Sequence, residues 1–113
     1  MIKEPYRDYV TEMIRLYNRV RTMTPQEREA WCETHNDRPE LEDFMAVLRA
    51  ASKKLTGEAC LAMMAVYKPS VRKIHGAVVW YANENYTSTA RVYRLLKTAR
   101  RACAEERGLT VKS

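Results

Sequence analysis

Apolar residues recur at intervals of three and four along most of this chain, the period of helices packed by one face. Tyr6, Tyr9, Val10, Met13, Tyr17 and Val20 form the first stripe and predict a helix from about Glu4 to Met23. "TPQE" follows: Thr24 suits an N-cap, Pro25 the first helical position, and Glu27 the return arm of a capping box. A short second helix to about Thr34 is expected, broken by "HNDRP". Asn36 or Asp37 caps a third helix from about Pro39 to Lys54, with Leu41, Phe44, Met45, Leu48 and Ala51 inward. Thr56 caps a fourth, "GEACLAMMAVY", with Leu61, Met64, Ala65 and Tyr67 inward. Pro69 ends it, and Ser70 is expected to cap a fifth helix from Val71 to Glu84, with Ile74, Val78, Tyr81 and Ala82 inward. After the turn "NENYT", a sixth helix runs from about Ser88 to Arg107 and stops at Gly108. Residues 110–113 are a tail. The fold class is all-α, with about six helices.

Charge changes the picture more than bulk composition does. The net charge is +6, yet residues 1–67 hold ten Lys/Arg against eleven Asp/Glu. Residues 68–101 hold eight Lys/Arg and a single acid, Glu84. The whole excess sits in this segment, and such a local field attracts polyanions. In the sixth helix, at about 100° per residue, Val92, Leu95, Leu96, Ala99, Ala102 and Cys103 fall on one side. Ala90, Arg94, Lys97 and Arg101 fall almost opposite, flanked by Arg91 and Arg100. Only Glu105 and Glu106 interrupt this row, at the end where the helix dipole disfavours acids.

A helix entering the DNA major groove reads bases with its N-terminal residues, while the preceding helix crosses the backbone. Here that end offers Ser88, Thr89 and Ala90, small enough for close approach, and then Arg91 and Arg94. Lys68, Arg72 and Lys73 bracket the start of the fifth helix and are expected, with Lys97, Arg100 and Arg101, to neutralise phosphates.

The stretch "LTGEACLAMMAVY", a further helix, and "YTSTARVYRLLKTARRACAEERGL" together resemble the helix-turn-helix of bacterial sigma factor region 4. They are closer to the small sigma-like regulators of phages and mobile elements of Gram-positive bacteria. Ser88, Val92, Leu95 or Leu96, and Ala99 stand at that family's spacing. The resemblance spans roughly residues 55–109 and implies a C-terminal helix-turn-helix with a long recognition helix. It also implies that Ser88, Thr89, Arg91 and Arg94 contact DNA. The usual Glu-Ile-Ala of the first helix is replaced by "KIHGAVVWYA", and the turn lacks the usual Gly. Gly76, inside a helix at a cost of about 1 kcal/mol relative to Ala, is expected to let two helices approach closely.

Other chemistry finds little support. Cys32, Cys60 and Cys103 are odd in number and widely spaced, so they read as reduced thiols used as small apolar residues. His35 and His75 lack ligand-spaced neighbours, so no metal site is expected. Three glycines cannot make a phosphate loop. Asp8 with Glu12 and Glu29 with Glu33 read as helix-surface charges. No cofactor and no enzymatic activity are expected. Tyr67, Trp80, Tyr81, Tyr86 and Tyr93 read as packing and turn anchors. No apolar stretch is long enough to span a membrane, and the start is unlike a signal peptide, so a cytoplasmic protein is expected.

The expectation is a double-stranded DNA-binding transcription regulator, sigma-like and of phage type. Residues 1–54 would form an N-terminal helical part serving interaction, with RNA polymerase or another host protein, or homodimerisation. The alternative is a helical protein-interaction module, such as a phage-encoded inhibitor or adaptor acting on a host nucleic-acid machine.

Overall fold

A computed structural model describes residues 4–35 and 38–109, and the side chains of residues 35 and 38–40 are left aside. Six helices follow one another: α1 (Arg7–Val20), α2 (Pro25–His35), α3 (Arg38–Lys54), α4 (Gly57–Val66), α5 (Ile74–Glu84) and α6 (Thr89–Glu106). There is no strand among the described residues. The expected cap at Asn36 or Asp37 and the expected tail lie outside the described residues.

Helix starts follow local chemistry. Thr24 Oγ1 accepts from Glu27 N at 3.1 Å, Thr56 Oγ1 from Ala59 N at 3.2 Å, and Ser88 Oγ from Arg91 N at 3.1 Å. Each satisfies one backbone donor that the first turn leaves open. The expected cap at Ser70 is not formed. Arg15 Nη2 donates to Pro69 O at 3.4 Å and Val71 O at 3.0 Å, and Asn18 Nδ2 donates to Tyr67 O at 2.9 Å. Once bound by α1, these carbonyls hold residues 67–73 as an irregular connection, and α5 begins at Ile74.

One core joins five of the helices. Val10, Met13 and Ile14 of α1, Phe44 and Leu48 of α3, Met63 and Val66 of α4, Val78 of α5, and Val92 and Leu96 of α6 meet in it. A smaller cluster of Val20, Cys32 and Leu41 seats α2 at the edge. α6 is the central rod, touching α1, α3, α4 and α5. Its Ala99, Ala102, Cys103 and Ala104 are buried, and such small side chains let neighbours come close. Two sequence expectations change here. Leu61, expected inward, is 65% exposed, while Ala59, Ala62, Met63 and Val66 face the core. A Cβ on Gly76 would meet nothing within 4 Å, so this glycine serves no helix–helix approach.

Arg100 ties the molecule together. It is only 6% exposed. Its guanidinium donates to both carboxylate oxygens of Glu4, at 2.8 and 2.9 Å, and to the Tyr67 hydroxyl at 2.7 Å. Burial alone would lower its pKa; the Glu4 carboxylate and the Tyr67 hydroxyl reverse this, and the net shift is upward. Further along α6, Arg107 donates to the Tyr9 hydroxyl at 3.3 Å and lies 5.1 Å from the Phe44 ring centroid. Tyr9 and Phe44 meet edge to face at 5.9 Å.

All three cysteines are free thiols, as expected, and Cys103 lies deep against α6's neighbours. Burial pushes its pKa from 9.0 to about 12. Burial first, and then Glu4, raises that of Tyr6.

Two outcomes follow. Arg100→Ala leaves the largely buried Glu4 carboxylate without its partner, and should cost about 3–5 kcal/mol in urea denaturation. Because the neutral Cys103 thiol is favoured in the fold, its contribution is complete below about pH 9 and is lost as pH rises toward about 12. Unfolding free energy measured across that range should therefore fall with pH, and less steeply in Cys103→Ala.

Candidate nucleic-acid interface

The connection between α5 and α6 decides how α6 begins. Thr87 N donates to Ala82 O at 3.0 Å and Tyr86 N to Asn83 O at 3.4 Å, the hydrogen-bond pair of a Schellman ending. Tyr86 takes the left-handed position at φ 53°, where glycine is usual, and is 97% exposed. Gly108 plays the same part after α6, at φ 82°, with Leu109 N donating to Ala104 O at 2.9 Å. A turn of four residues, 85–88, thus separates two defined helices, and Ser88 opens the second.

From this start α6 presents its polar side outward. Ser88, Ala90, Arg91, Arg94, Lys97 and Arg101 are exposed, and Thr89 is half-buried. Arg94 and Lys97 form no ion pair with any described residue. Arg91 pairs with Glu58 at the first turn of α4, both exposed. Arg101 pairs with Glu105 one turn on, at 3.3 Å, again exposed. Exposed pairs of this kind are held weakly and exchange readily for a phosphate. Glu106 meets Lys54 of α3. Both acids at the unfavourable end of the helix dipole are therefore explained by cation partners, Arg101 at the i,i+4 spacing and Lys54 from a helix that only packing brings near.

Arg100 is the correction. It was expected among the outward phosphate cations. It sits instead between the apolar stripe and the cationic row, buried and committed to Glu4 and Tyr67, so it is not free for an anion.

Lys68, Arg72 and Lys73 are exposed and likewise unpaired among the described residues. They gather around a shallow groove between α4 and α5 whose floor includes Ala65, Gly76, Ala77 and Trp80. On the other side of α5, His75 reaches α6: its Nδ1 lies 2.6 Å from the Tyr93 hydroxyl, with the rings stacked at 6.1 Å. The site thus has two cationic regions, the outer row of α6 and the rim of the α4–α5 groove.

Sequence reading missed two residues that position this surface. Arg15 and Asn18 hold the backbone of residues 67–71, which leaves the side chains of Lys68 and Arg72 outward. Asn18 is buried, and a polar residue four positions after Ile14 on the inner face of α1 was the available signal.

No helix of the described residues is long and apolar enough to cross a membrane. No group of three or more His, Cys, Asp or Glu residues that could hold a metal ion occurs among them either. Compared with protein-family models, curated proteins and solved structures, the chain matches none.

A tyrosine in the left-handed region costs about 1–2 kcal/mol, and Tyr86 recovers nothing by burial. Tyr86→Gly should therefore raise unfolding stability by about 1 kcal/mol, read from the shift of the thermal or urea transition.

Proposed function

We propose that the chain is a double-stranded DNA-binding transcriptional regulator, sigma-like and of the type carried by phages and mobile elements. In this reading α5, the turn at 85–88 and α6 work as a helix-turn-helix, with α6 entering the major groove. The observation that carries it is the outer face of α6. Among the described residues Arg94 and Lys97 stand unpaired there, beside two cations in exchangeable exposed pairs, on a helix anchored along its opposite side. A surface that keeps cations free of internal acids pays a cost in self-repulsion that a polyanion relieves.

Ser88, Thr89, Arg91 and Arg94 approach base edges from the first two turns. Arg91 leaves Glu58 to do so, which costs little because both groups are exposed. A guanidinium at that place donates two bonds to one guanine edge. Lys97 and Arg101 follow along the helix toward the phosphates. Arg100 takes no direct part. Through Glu4 and Tyr67 it helps hold α6 in one rotation about its own axis.

Selection from random double-stranded DNA, followed by titration across salt concentrations, tests this. Two phosphates met by Lys97 and Arg101 give a log–log salt slope of about −1.8. Lys97→Ala should reduce that slope by about 1 on every sequence. Arg91→Ala and Arg94→Ala should each relax preference at one base position, by about 1–3 kcal/mol. A slope near zero, or no enriched sequence, refutes the proposal.

A further inference from the structure

We infer that the groove between α4 and α5 is a docking site for an acidic amphipathic helix of a protein partner. This surface is separate from the α6 face and does not rest on the DNA reading. On α5, Trp80 lies about 140° round the helix from His75, the residue that reaches α6, so the groove opens away from that contact.

Three observations converge. The first is exposed apolar surface in a place that needs none for folding. Trp80 is 53% exposed on α5, and Leu61 is 65% exposed on α4. Leu61 lies one turn before Ala65, which lines the groove, so the apolar strip continues along α4. The second is Gly76. It weakens the middle of α5, yet a Cβ there would meet no atom of the chain. With no side chain there, Gly76 leaves open the groove it lines, whose volume is about 340 Å³. The third is charge. Among the described residues, Lys68, Arg72 and Lys73 stand on the rim unpaired and no acid lines the groove.

These features select the occupant. The cations call for negative charge. The floor calls for apolar side chains, and it offers no amide or hydroxyl side chain to read a base edge. A partner added as a β-strand would need a sheet edge to pair with, and the described residues contain none. A furrow framed by two helices instead receives a third, with anchors at i, i+3 or i+4, and i+7. Its acidic flank then meets the three cations. The groove is also preformed: Arg15 and Asn18 of α1 hold the backbone of its rim through Val71 O and Tyr67 O. Such preorganisation lowers the cost of binding.

The experiment is selection of displayed, randomised helical peptides of roughly 15 residues against the full chain, with affinities then measured by calorimetry. Enriched peptides should carry net negative charge and helically spaced apolar residues. Trp80→Ala, and separately Lys68→Glu with Arg72→Glu, should weaken them at least about tenfold. Gly76→Leu provides the control for folding: its side chain projects into open space, so the circular dichroism and melting transition should be kept or improved while binding is lost. Arg94→Ala, which tests the DNA reading, should leave peptide affinity unchanged. The inference falls if no peptide is enriched, if enriched peptides lack acidic character, or if they bind Gly76→Leu as they bind the wild type. It also falls if Lys68→Glu with Arg72→Glu cuts the DNA salt slope by about 2 and leaves peptide affinity intact, since a phosphate backbone would then be the occupant.

Discussion

A guanidinium removed from water must have its donors met and its charge balanced, and Arg100 draws its partners from two distant parts of the chain to achieve this. Glu4 comes from just before α1, and Tyr67 from the end of α4. Both are distant in sequence, so the buried cluster fixes three pieces of backbone against one another. An ion pair in such a place is poor evidence of net stability, because desolvation offsets much of the attraction. Its value here is orientational. Arg100 lies between the apolar and cationic sides of α6, so its partners, together with the buried Val92, Leu96, Ala99 and Cys103, turn Arg94 and Lys97 outward.

The same logic operates on a smaller scale along α1. Asn18 and Arg15 satisfy backbone carbonyls in the connection between α4 and α5 that would otherwise lack protein partners. An irregular segment rich in cations is thereby held in one shape without using any of its own charges. Both cationic regions are thus rigidly based: one on a helix locked by a buried arginine, the other on a connection locked from behind. Free charge on a fixed frame is what a binding surface requires, because the ordering entropy is spent during folding instead of on contact.

The helices were largely legible because period and caps are local properties. α2 and α6 start where Thr24 and Ser88 announce them, and Gly108 stops α6 as its left-handed freedom suggests. Elsewhere local signals ran out. "GEACLAMMAV" is apolar all round, so its inner face could not be read from pattern, and Leu61 was placed on the wrong side. Packing chose the alanine side because Ala59 and Ala62 permit close approach to the rest of the core. Ser70 looks like a cap, but the carbonyls one position before it and one after it are taken by Arg15, more than fifty positions away.

By itself the chain determined its helical class, its approximate breaks, and the concentration of charge after residue 67, since each depends on neighbours within a turn or two. It also determined that α6 would have an apolar and a cationic side. Only the tertiary structure decided which cations remain free: it buried Arg100, paired Arg91 and Arg101 in the open, and left Lys68, Arg72, Lys73, Arg94 and Lys97 without partners among the described residues. The reason is physical. Whether a charge is solvated, paired or buried depends on groups brought near it by packing, and sequence separation carries almost no information about that distance.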